Sequence, residues 1–420
     1  MKIFKQIGIG LLATACFAGS AAAQAELVFW QHGAGNPWEG PIFGKIVEDF
    51  NASQTEWKVR LQQFPQNAYN DSVTAAALSN ELPDIIDVDG PVMPNWAWAG
   101  YLAPLEISDA DLKGFLPGTI GKWQGKVYSV GLWDAAVALT TRKSTLDKYG
   151  IRVPTLDQPW TGEEFNAALA KIKESGDFDY PLDLAMADKS EWYPYAFSPF
   201  LQSFGGDIVD RATYKSADNV LNGDAALKFG EWWQSLFKDG MVPGTSQDPA
   251  DKASGFLQGK YAMIWSGNWM AADQIKAFGD DVLFLPAPNF GHGSKIGAAS
   301  WQLAVSQKSK HKDGASAFIR FATQDKYQAM FSDASGLVPA TASAAQMTEN
   351  YKAGGKMAVF YDLSARQAMV RPVTPGYVVQ ARVFQKALAD IADGADVATT
   401  LDAAVDEIDA DIANNQGYGQ

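Results

Sequence analysis

Strand-like and helix-like segments alternate near the beginning of the chain, and their order restricts the fold more than any other feature. Three short apolar segments are separated by two segments whose apolar residues recur every three to four positions, so the expected order is β-α-β-α-β. In chain order the five segments are 26–30, 41–51, 57–64, 69–80 and 84–88. Helical connections make consecutive strands parallel, and open α/β sheets bind ligands at the carboxyl ends of their strands. The loops 31–38 and 87–94 are therefore expected to face a ligand.

Residues 255–269, with the sequence GFLQGKYAMIWSGNW, contain a second informative pattern. Gly259 predicts the left-handed end of a helix, and the apolar residues after it predict a short buried strand. The Ser-Gly-Asn turn at 266–268 is expected to cap the next helix and to leave backbone N–H groups free for a ligand. Trp265 and Trp269 would stand on either side of this turn, although tryptophans commonly belong to the core instead.

The order of Gly-Lys, Ala-Met, a short strand and Ser-Gly-Asn-Trp resembles the signature of extracellular solute-binding proteins that serve ABC importers. Within this family, the sequence is similar to the sugar-binding group that includes maltose-binding protein. Three further stretches agree with this family: Gly-Gly-Asp at 205–207, Gly-Leu-Val-Pro at 336–339 and the loop at 371–376. The resemblance extends from the first strand to the two closing helices.

The resemblance implies a two-lobed α/β architecture, the periplasmic-binding-protein type II fold. Each lobe would hold a mixed sheet flanked by helices, the ligand cleft would lie between the lobes, and the chain would cross between them three times. The expected limits are a signal peptide at 1–25, an N-terminal lobe at 26–133 plus 286–337, and a C-terminal lobe at 134–285 plus 338–420. A ligand would close the lobes by a hinge motion, which requires that it contact both of them.

The first 25 residues are typical of a secretory signal peptide. Lys2 and Lys5 precede a short apolar run, and small residues follow it, so that cleavage is expected after Ala23 or Ala25. Cys16, the single cysteine, lies inside this segment, and lipid attachment to it is the alternative. No later segment is apolar enough to cross a bilayer, so the sequence predicts an exported, periplasmic protein.

Composition restricts the partners and the chemistry. With 420 residues the chain is expected to form two domains, and a net charge of −14 argues against binding to nucleic acid or anionic lipid. The three histidines show no metal-ligand spacing, and cleavage of the leader would leave no cysteine. We therefore expect a monomer with neither a cofactor nor a metal. Its expected partners are a carbohydrate or polyol ligand and the membrane permease subunits of an ABC importer.

A sugar presents hydroxyl groups at its edges and C–H groups on its faces, so its site combines polar side chains with aromatic rings. Polar and aromatic residues on the predicted cleft loops are the candidates. The expected ligand-binding residues are Gln31, His32, Asp89, Asp134, Trp192, Thr245, Ser266, Gly267, Asn268, Trp269, Trp301 and Arg371, and Tyr193, Ser246 and Trp265 lie on the same loops.

Several of these residues have a second interpretation. Asp89 precedes Gly-Pro and is also typical of a turn, and His32 is equally typical of a surface loop. Arg371 could hold hydroxyl groups or an anionic substituent, or it could pair with Asp89 or Asp134 across the cleft.

Motifs of the common catalytic sites are missing from the sequence, including the nucleophile elbow, the P-loop and the H-E-x-x-H zinc motif. Two carboxylates such as Asp89 and Asp134 would be enough for a glycosidase, so a secreted glycosidase or lyase remains an alternative. The leading hypothesis is a non-enzymatic sugar-binding component of an ABC importer. Another alternative is the same fold binding a charged solute such as glycerol phosphate or a sulfonated or acidic glycoside.

Overall fold

The computed structural model describes residues 24–187, 191–244 and 254–419, which form two sheets flanked by helices. The strands are β1 (Ala25–Gln31), β2 (Trp57–Gln63), β3 (Ile85–Asp89), β4 (Leu102–Ala103), β5 (Ile120–Trp123), β6 (Lys126–Gly131), β7 (Trp133–Arg142), β8 (Tyr180–Asp183), β9 (Tyr261–Gly267), β10 (Val282–Leu285), β11 (Ile296–Ala299), β12 (Trp301–Ser306), β13 (Val338–Pro339) and β14 (Ala368–Met369). The helices are α1 (Glu39–Ser53), α2 (Gln66–Ser79), α3 (Met93–Trp98), α4 (Lys143–Lys148), α5 (Gly162–Ser175), α6 (Trp192–Phe204), α7 (Asp224–Lys238), α8 (Ala271–Phe278), α9 (Lys312–Ala322), α10 (Asp325–Ser335), α11 (Ala342–Gln346), α12 (Ala358–Gln367), α13 (Tyr377–Ala392) and α14 (Val397–Asn414).

The first sheet has the strand order β2-β1-β3-β12-β6-β5, with β4 beside β12. β1 pairs in parallel with both β2 and β3, which confirms the predicted β-α-β-α-β unit. β12 is antiparallel to β3 and β6, so the sheet is mixed. Leu27 and Phe29 of β1 are fully buried beneath α1 and α9, where Phe29 contacts the rings of Phe43 and Phe318.

The second sheet is built around β7. Its strand order is β14-β11-β7-β9-β8, and β10 and β13 also pair with β7. The first nine of the ten residues of β7 are buried, as expected of a strand covered on both faces. Buried aromatic side chains of α6 and α7, among them Phe197 and Trp233, form much of this lobe's core. The chain therefore has the two-lobed architecture that the resemblance implies.

Within the part of the chain that the structure describes, the backbone passes between the sheets at three places. Leu132 joins β6 of the first sheet to β7 of the second, and Gly336 and Leu337 join α10 to β13. The return to the first sheet differs from the expected position near residue 286, because β11 still pairs with β7 and only β12 pairs with β3. The Pro-Ala-Pro sequence at 286–288 lies in the connection between two strands that both lie along β7. Strand pairing thus places this crossing at Ser300, while the lobe limits themselves stay a prediction.

The last helix ends in a short tail that reaches the first lobe. The Tyr418 ring lies 5.1 Å from the Trp98 ring of α3 in an edge-to-face contact. Gln124 Nε2 donates to the Gly419 carbonyl at 3.1 Å. The tail thus connects α14, which packs in the second lobe, to α3 and the β5–β6 turn of the first.

Of the predicted signal peptide, residues 1–23 lie outside the described residues, and Ala25 is the first residue of β1. Within residues 24–187, 191–244 and 254–419, no helix is both long enough and apolar enough to span a membrane.

Candidate ligand-binding site

A cavity of about 400 Å³ lies between the two sheets and receives side chains from both. The first lobe contributes His32, Asn36, Trp38, Glu39, Gln66, Asp89 and Trp301; the second contributes Ala185, Glu191, Trp192, Tyr195, Trp265, Ser266, Trp269, Met270 and Arg371. The crossing segments add Trp133, Ala135, Ala299, Ser300 and Leu337. This cavity is the candidate ligand cleft.

Aromatic rings form the wall of the cleft on the second lobe. Trp269 has 39% of its surface exposed, and its ring lies 6.1 Å from Trp192 and 6.3 Å from Tyr195. Gly267 makes this position possible, because a Cβ atom there would lie 2.0 Å from the Trp269 ring. Gly267 has an extended backbone with φ of −98°, so the ring and not the backbone requires a glycine.

On the first lobe, His32 and Trp301 form a stacked pair beside buried carboxylates. The two rings are 3.7 Å apart and inclined by 15°. His32 Nδ1 lies 2.5 Å from Asp87 Oδ2, and His32 Nε2 lies 3.2 Å from Glu39 Oε2. Burial alone would lower the His32 pKa, but the two carboxylates raise it to about 10. His32 is therefore an imidazolium at neutral pH, and both of its N–H groups donate to carboxylates.

Arg371 joins carboxylates of the two lobes. Its Nη1 donates to Glu191 Oε2 at 2.6 Å, and its Nη2 lies 3.7 Å from Asp89 Oδ1. The Tyr377 hydroxyl donates to the same Glu191 oxygen at 2.5 Å. Burial raises the Asp89 pKa to about 6, with Arg371 opposing the shift and Glu191 adding to it. One buried guanidinium thus links β3 of the first lobe to the start of α6 in the second.

Seven of the twelve predicted site residues line the cleft, together with Trp265. They are His32, Asp89, Trp192, Ser266, Trp269, Trp301 and Arg371. Gln31 lies one layer behind, where its Nε2 donates to Glu39 Oε2 at 2.7 Å. Tyr193 is fully buried, and its hydroxyl donates to the Met186 carbonyl. Thr245 and Ser246 lie outside the described residues.

Asp134 does not face the cleft, contrary to the sequence expectation. It is fully buried, and its Oδ1 accepts hydrogen bonds from the backbone N–H groups of Ala135 and Ala299 at 2.9 and 3.0 Å. Burial raises the pKa of this carboxyl from its usual 3.8 to about 7. Asp134 holds β7 and β11 together beside a crossing.

Asn268 also serves the structure and does not line the cleft. Its Oδ1 accepts from the Ala136 N–H at 3.0 Å, and its Nδ2 donates to the Gly336 carbonyl at 2.8 Å. The expected open turn at 266–268 is not formed, because β9 continues through Gly267 and stays paired with β7. Ser266 reaches the cleft, but the anion-binding turn predicted from the sequence is replaced by a strand.

Sequence reasoning missed Glu39, Glu191, Tyr195, Trp38 and Trp133 as cleft residues. Glu39 begins α1 directly after the loop at 31–38, so its place at a strand's carboxyl end was a usable signal. Glu191 and Tyr195 lie in the aromatic-rich segment that begins α6, where the sequence analysis singled out Trp192 and Tyr193 instead.

Comparison with known proteins decides the family. A family model described as bacterial extracellular solute-binding protein matches residues 45–359. The chain belongs to this family. The solute-binding protein is 25% identical over 398 residues to a putative binding protein of Brucella abortus, covering 91% of each chain. It is 26% identical over 336 residues to the diacetylchitobiose-binding protein DasA of Streptomyces coelicolor, covering 76% of this chain and 73% of that protein.

The fold is shared with solved structures as well. The sugar-binding protein MalE of Xanthomonas citri superposes with a TM-score of 0.78 at 18% identity, covering 93% of this chain and 98% of that one. The solute-binding protein therefore has the maltose-binding-protein-like two-lobed fold, and it is of the type that works with ABC transporters. Among the described residues, no three His, Cys, Asp or Glu side chains are grouped so as to hold a metal ion.

Proposed function

We propose that this solute-binding protein captures a small carbohydrate in the cleft between its lobes and delivers it to the permease of an ABC importer. The observation that carries the proposal is the combination of indole rings and carboxylates that line the cleft, contributed by both lobes. Trp301 and Trp269 offer faces for the C–H surface of a sugar, while Asp89, Glu39 and Glu191 offer acceptors for its hydroxyl groups. A volume of about 400 Å³ is within the range of small-molecule sites.

Lobe closure follows from where these groups lie. Trp301 and Asp89 belong to strands of the first sheet, whereas Trp269 and Glu191 belong to the second lobe. A sugar that touches both groups is bound more tightly by the closed arrangement, and this difference in affinity is what shifts the equilibrium toward closure. The permease would then recognise the closed form.

The charges of the cleft support a sugar over an anionic solute. Each of its two described cations already faces two carboxylates: His32 lies between Asp87 and Glu39, and Arg371 between Glu191 and Asp89. A phosphate or sulfonate would have to compete with these carboxylates for the same N–H donors. The backbone turn that was expected to hold an anion is part of β9.

We also propose that the protein does not turn over its ligand and that it acts as a monomer in the periplasm after cleavage of the signal peptide behind Ala23 or Ala25. The family consists of binding proteins, and the relative DasA is named for binding diacetylchitobiose. Asp89 and Glu191, one lining carboxylate from each lobe, both lie against Arg371.

A thermal-shift screen followed by calorimetry tests this function. The panel contains mono- and disaccharides, polyols, amino sugars, and phosphorylated and sulfonated glycosides. A ligand that binds only the folded state raises the melting temperature with its saturation, and we expect this for at least one sugar or polyol and for no anionic glycoside. Stabilisation by anionic glycosides alone would contradict the proposal, as would release of products during incubation with the bound sugar.

A further inference from the structure

The candidate cleft contains more negatively charged groups than positively charged ones. His32 and Arg371 are its cations among the described residues, and Glu39, Asp87, Asp89 and Glu191 face them as carboxylates. With all of these groups ionised the cluster carries a charge of 2 − 4 = −2. Burial makes such an excess costly, because charges out of water are stabilised mainly by opposite charges nearby.

The carboxylates that line the cavity have oxygens without a described donor. No described residue donates a hydrogen bond to Asp89, whose nearest cationic atom is Arg371 Nη2 at 3.7 Å. Glu191 uses its Oε2 for Arg371 and Tyr377, and its side chain is 42% exposed. Glu39 uses its Oε2 for Gln31 and His32. Each of these three carboxylates therefore has at least one oxygen free of described donors.

The two cations, by contrast, already have carboxylates as neighbours. Both ring nitrogens of His32 face carboxylates, and Arg371 directs Nη1 to Glu191 and Nη2 toward Asp89. Arg371 is 4% exposed, and its Nε is buried with no hydrogen-bond partner among the described residues. Carboxylates thus outnumber cations by four to two in the ionic part of the cleft. An ammonium group, with three N–H donors and no acceptor, is complementary to such a surface, whereas a hydroxyl group leaves the excess charge in place.

We propose that the preferred ligand is an amino sugar, whose protonated amine binds among Glu39, Asp89 and Glu191 while its ring lies against Trp301 and Trp269. This inference rests on the proposed carbohydrate function and narrows it to a cationic class. The net charge of −14 for the whole chain favours the approach of a cation in the same sense.

Matched sugars that share one skeleton test the inference. The sets are glucose, glucosamine and N-acetylglucosamine; galactose, galactosamine and N-acetylgalactosamine; and cellobiose, chitobiose with free amines and diacetylchitobiose. Calorimetry at pH 6.5 is expected to give the amine-bearing member of at least one set an affinity about tenfold above the other two. The advantage should shrink when salt is raised, because screening weakens charge pairing.

The outcomes separate the two proposals. If a neutral or acetylated sugar of these sets or of the thermal-shift panel binds more tightly than every amine-bearing one, the amine inference is wrong and the carbohydrate function stands. If no sugar of any kind binds, the carbohydrate function itself is wrong.

Glu191→Gln provides a second readout. It removes one of the surplus charges while keeping the shape, so the ratio of amino-sugar to neutral-sugar affinity should fall about tenfold, and affinity for a sugar acid should rise because Arg371 loses its partner. Glu163→Gln, at an exposed carboxylate in the first turn of α5, is the matched control and should keep the ratio. An unchanged ratio in a Glu191→Gln protein that melts cooperatively contradicts the inference.

Discussion

At the residue scale, Trp301 is the side chain with the clearest role. His32 covers one side of its ring, and the cleft lies beside the rest of it. Trp301→Ala should weaken the binding of the best sugar by about tenfold, since it removes a stacking surface and uncovers a buried cation. Calorimetry measures the affinity, and a cooperative melting curve shows that the variant is folded.

Trp232→Ala is the control for this variant. The Trp232 ring packs on the Phe290 ring, with centroids 4.6 Å apart, on a face of the second lobe away from the cleft. The variant therefore loses comparable aromatic packing without a change in the cleft. If the Trp301→Ala protein and the wild type bind the sugar with equal affinity, Trp301 does not contribute to the site.

Asp134 leads to a prediction about pH. Its folded pKa is about 7 against a usual 3.8, so between these values the folded protein holds a proton that the unfolded chain releases. Stability contributed by this group is therefore lost as the pH rises from about 4 to about 7. Asp134→Asn keeps an oxygen for the two N–H donors and removes the charge. We expect equal melting temperatures at pH 4 and a variant that is more stable by a few degrees at pH 8.

Differential scanning calorimetry of both proteins across this pH range checks the expectation. A difference in melting temperature that is constant with pH would show that the charge of Asp134 is not the cause.

The direction of individual side chains was the part that the sequence could not predict. Asp89 and Asp134 both stand near the ends of buried strands, yet one lines the cleft and the other is enclosed between β7 and β11. Successive residues of a strand point to opposite faces, and the face depends on the register of the pairing. Register with distant strands leaves no local trace in the sequence.

At the element scale, the sequence was a better guide. The apolar residues between 224 and 238 recur at helical spacing, and this segment is α7; the sequence Thr161-Gly-Glu-Glu164 has the pattern of a capping box, and this box begins α5. Periodic apolar residues and caps are local patterns, so they can be recognised in the sequence without knowledge of tertiary contacts. The second crossing was misplaced for the opposite reason: whether the chain leaves a sheet after Pro286 depends on the pairing of β11 with β7.

Gly267 at the end of β9 gives a prediction for this element. Gly267→Ala should displace the Trp269 ring, because the new methyl group would lie 2.0 Å from it. Sugar affinity should fall about tenfold while the melting temperature falls only slightly, since the ring is partly exposed and the backbone angles suit alanine. Isothermal calorimetry and thermal melting together measure both effects.

Gly44→Ala in α1 is the corresponding control. Beyond the backbone of α1 itself, no atom lies within 4 Å of the position that a Cβ would take at Gly44. Alanine there should keep the affinity and stabilise the helix by about 1 kcal/mol. Retained affinity in the Gly267→Ala protein would mean that Trp269 does not contribute to binding.

At the scale of the whole molecule, a second cavity of about 370 Å³ lies on the other side of Ser300 and Arg371 from the cleft. Residues at the start of α3 line this cavity, and the end of the same helix holds the C-terminal tail through Trp98 and Tyr418. Closing the cleft by a hinge motion would open the opposite side and strain the tail contacts. These contacts should therefore oppose closure.

The double variant Trp98→Ala and Gln124→Ala removes the two described contacts of the tail with the first lobe. We expect sugar to bind about threefold more tightly, because less free energy is then needed to reach the closed form. Leu78→Ala, at a side chain that is 80% exposed, is the control. Weaker binding in the double variant would show that the tail supports closure.

The attachment of all the crossing segments to one strand bears on the kinetics of closure. β7 follows the first crossing, pairs with β11 before the second and with β13 after the third. Asp134 and Asn268 tie the same strand to Ala299 and Gly336. Because the three crossing segments share this strand, they cannot move one after another. Opening and closing should therefore be a single concerted exchange with one rate in each direction. Fluorescent labels on cysteines introduced in the two lobes would then show two levels of energy transfer and no dwell between them.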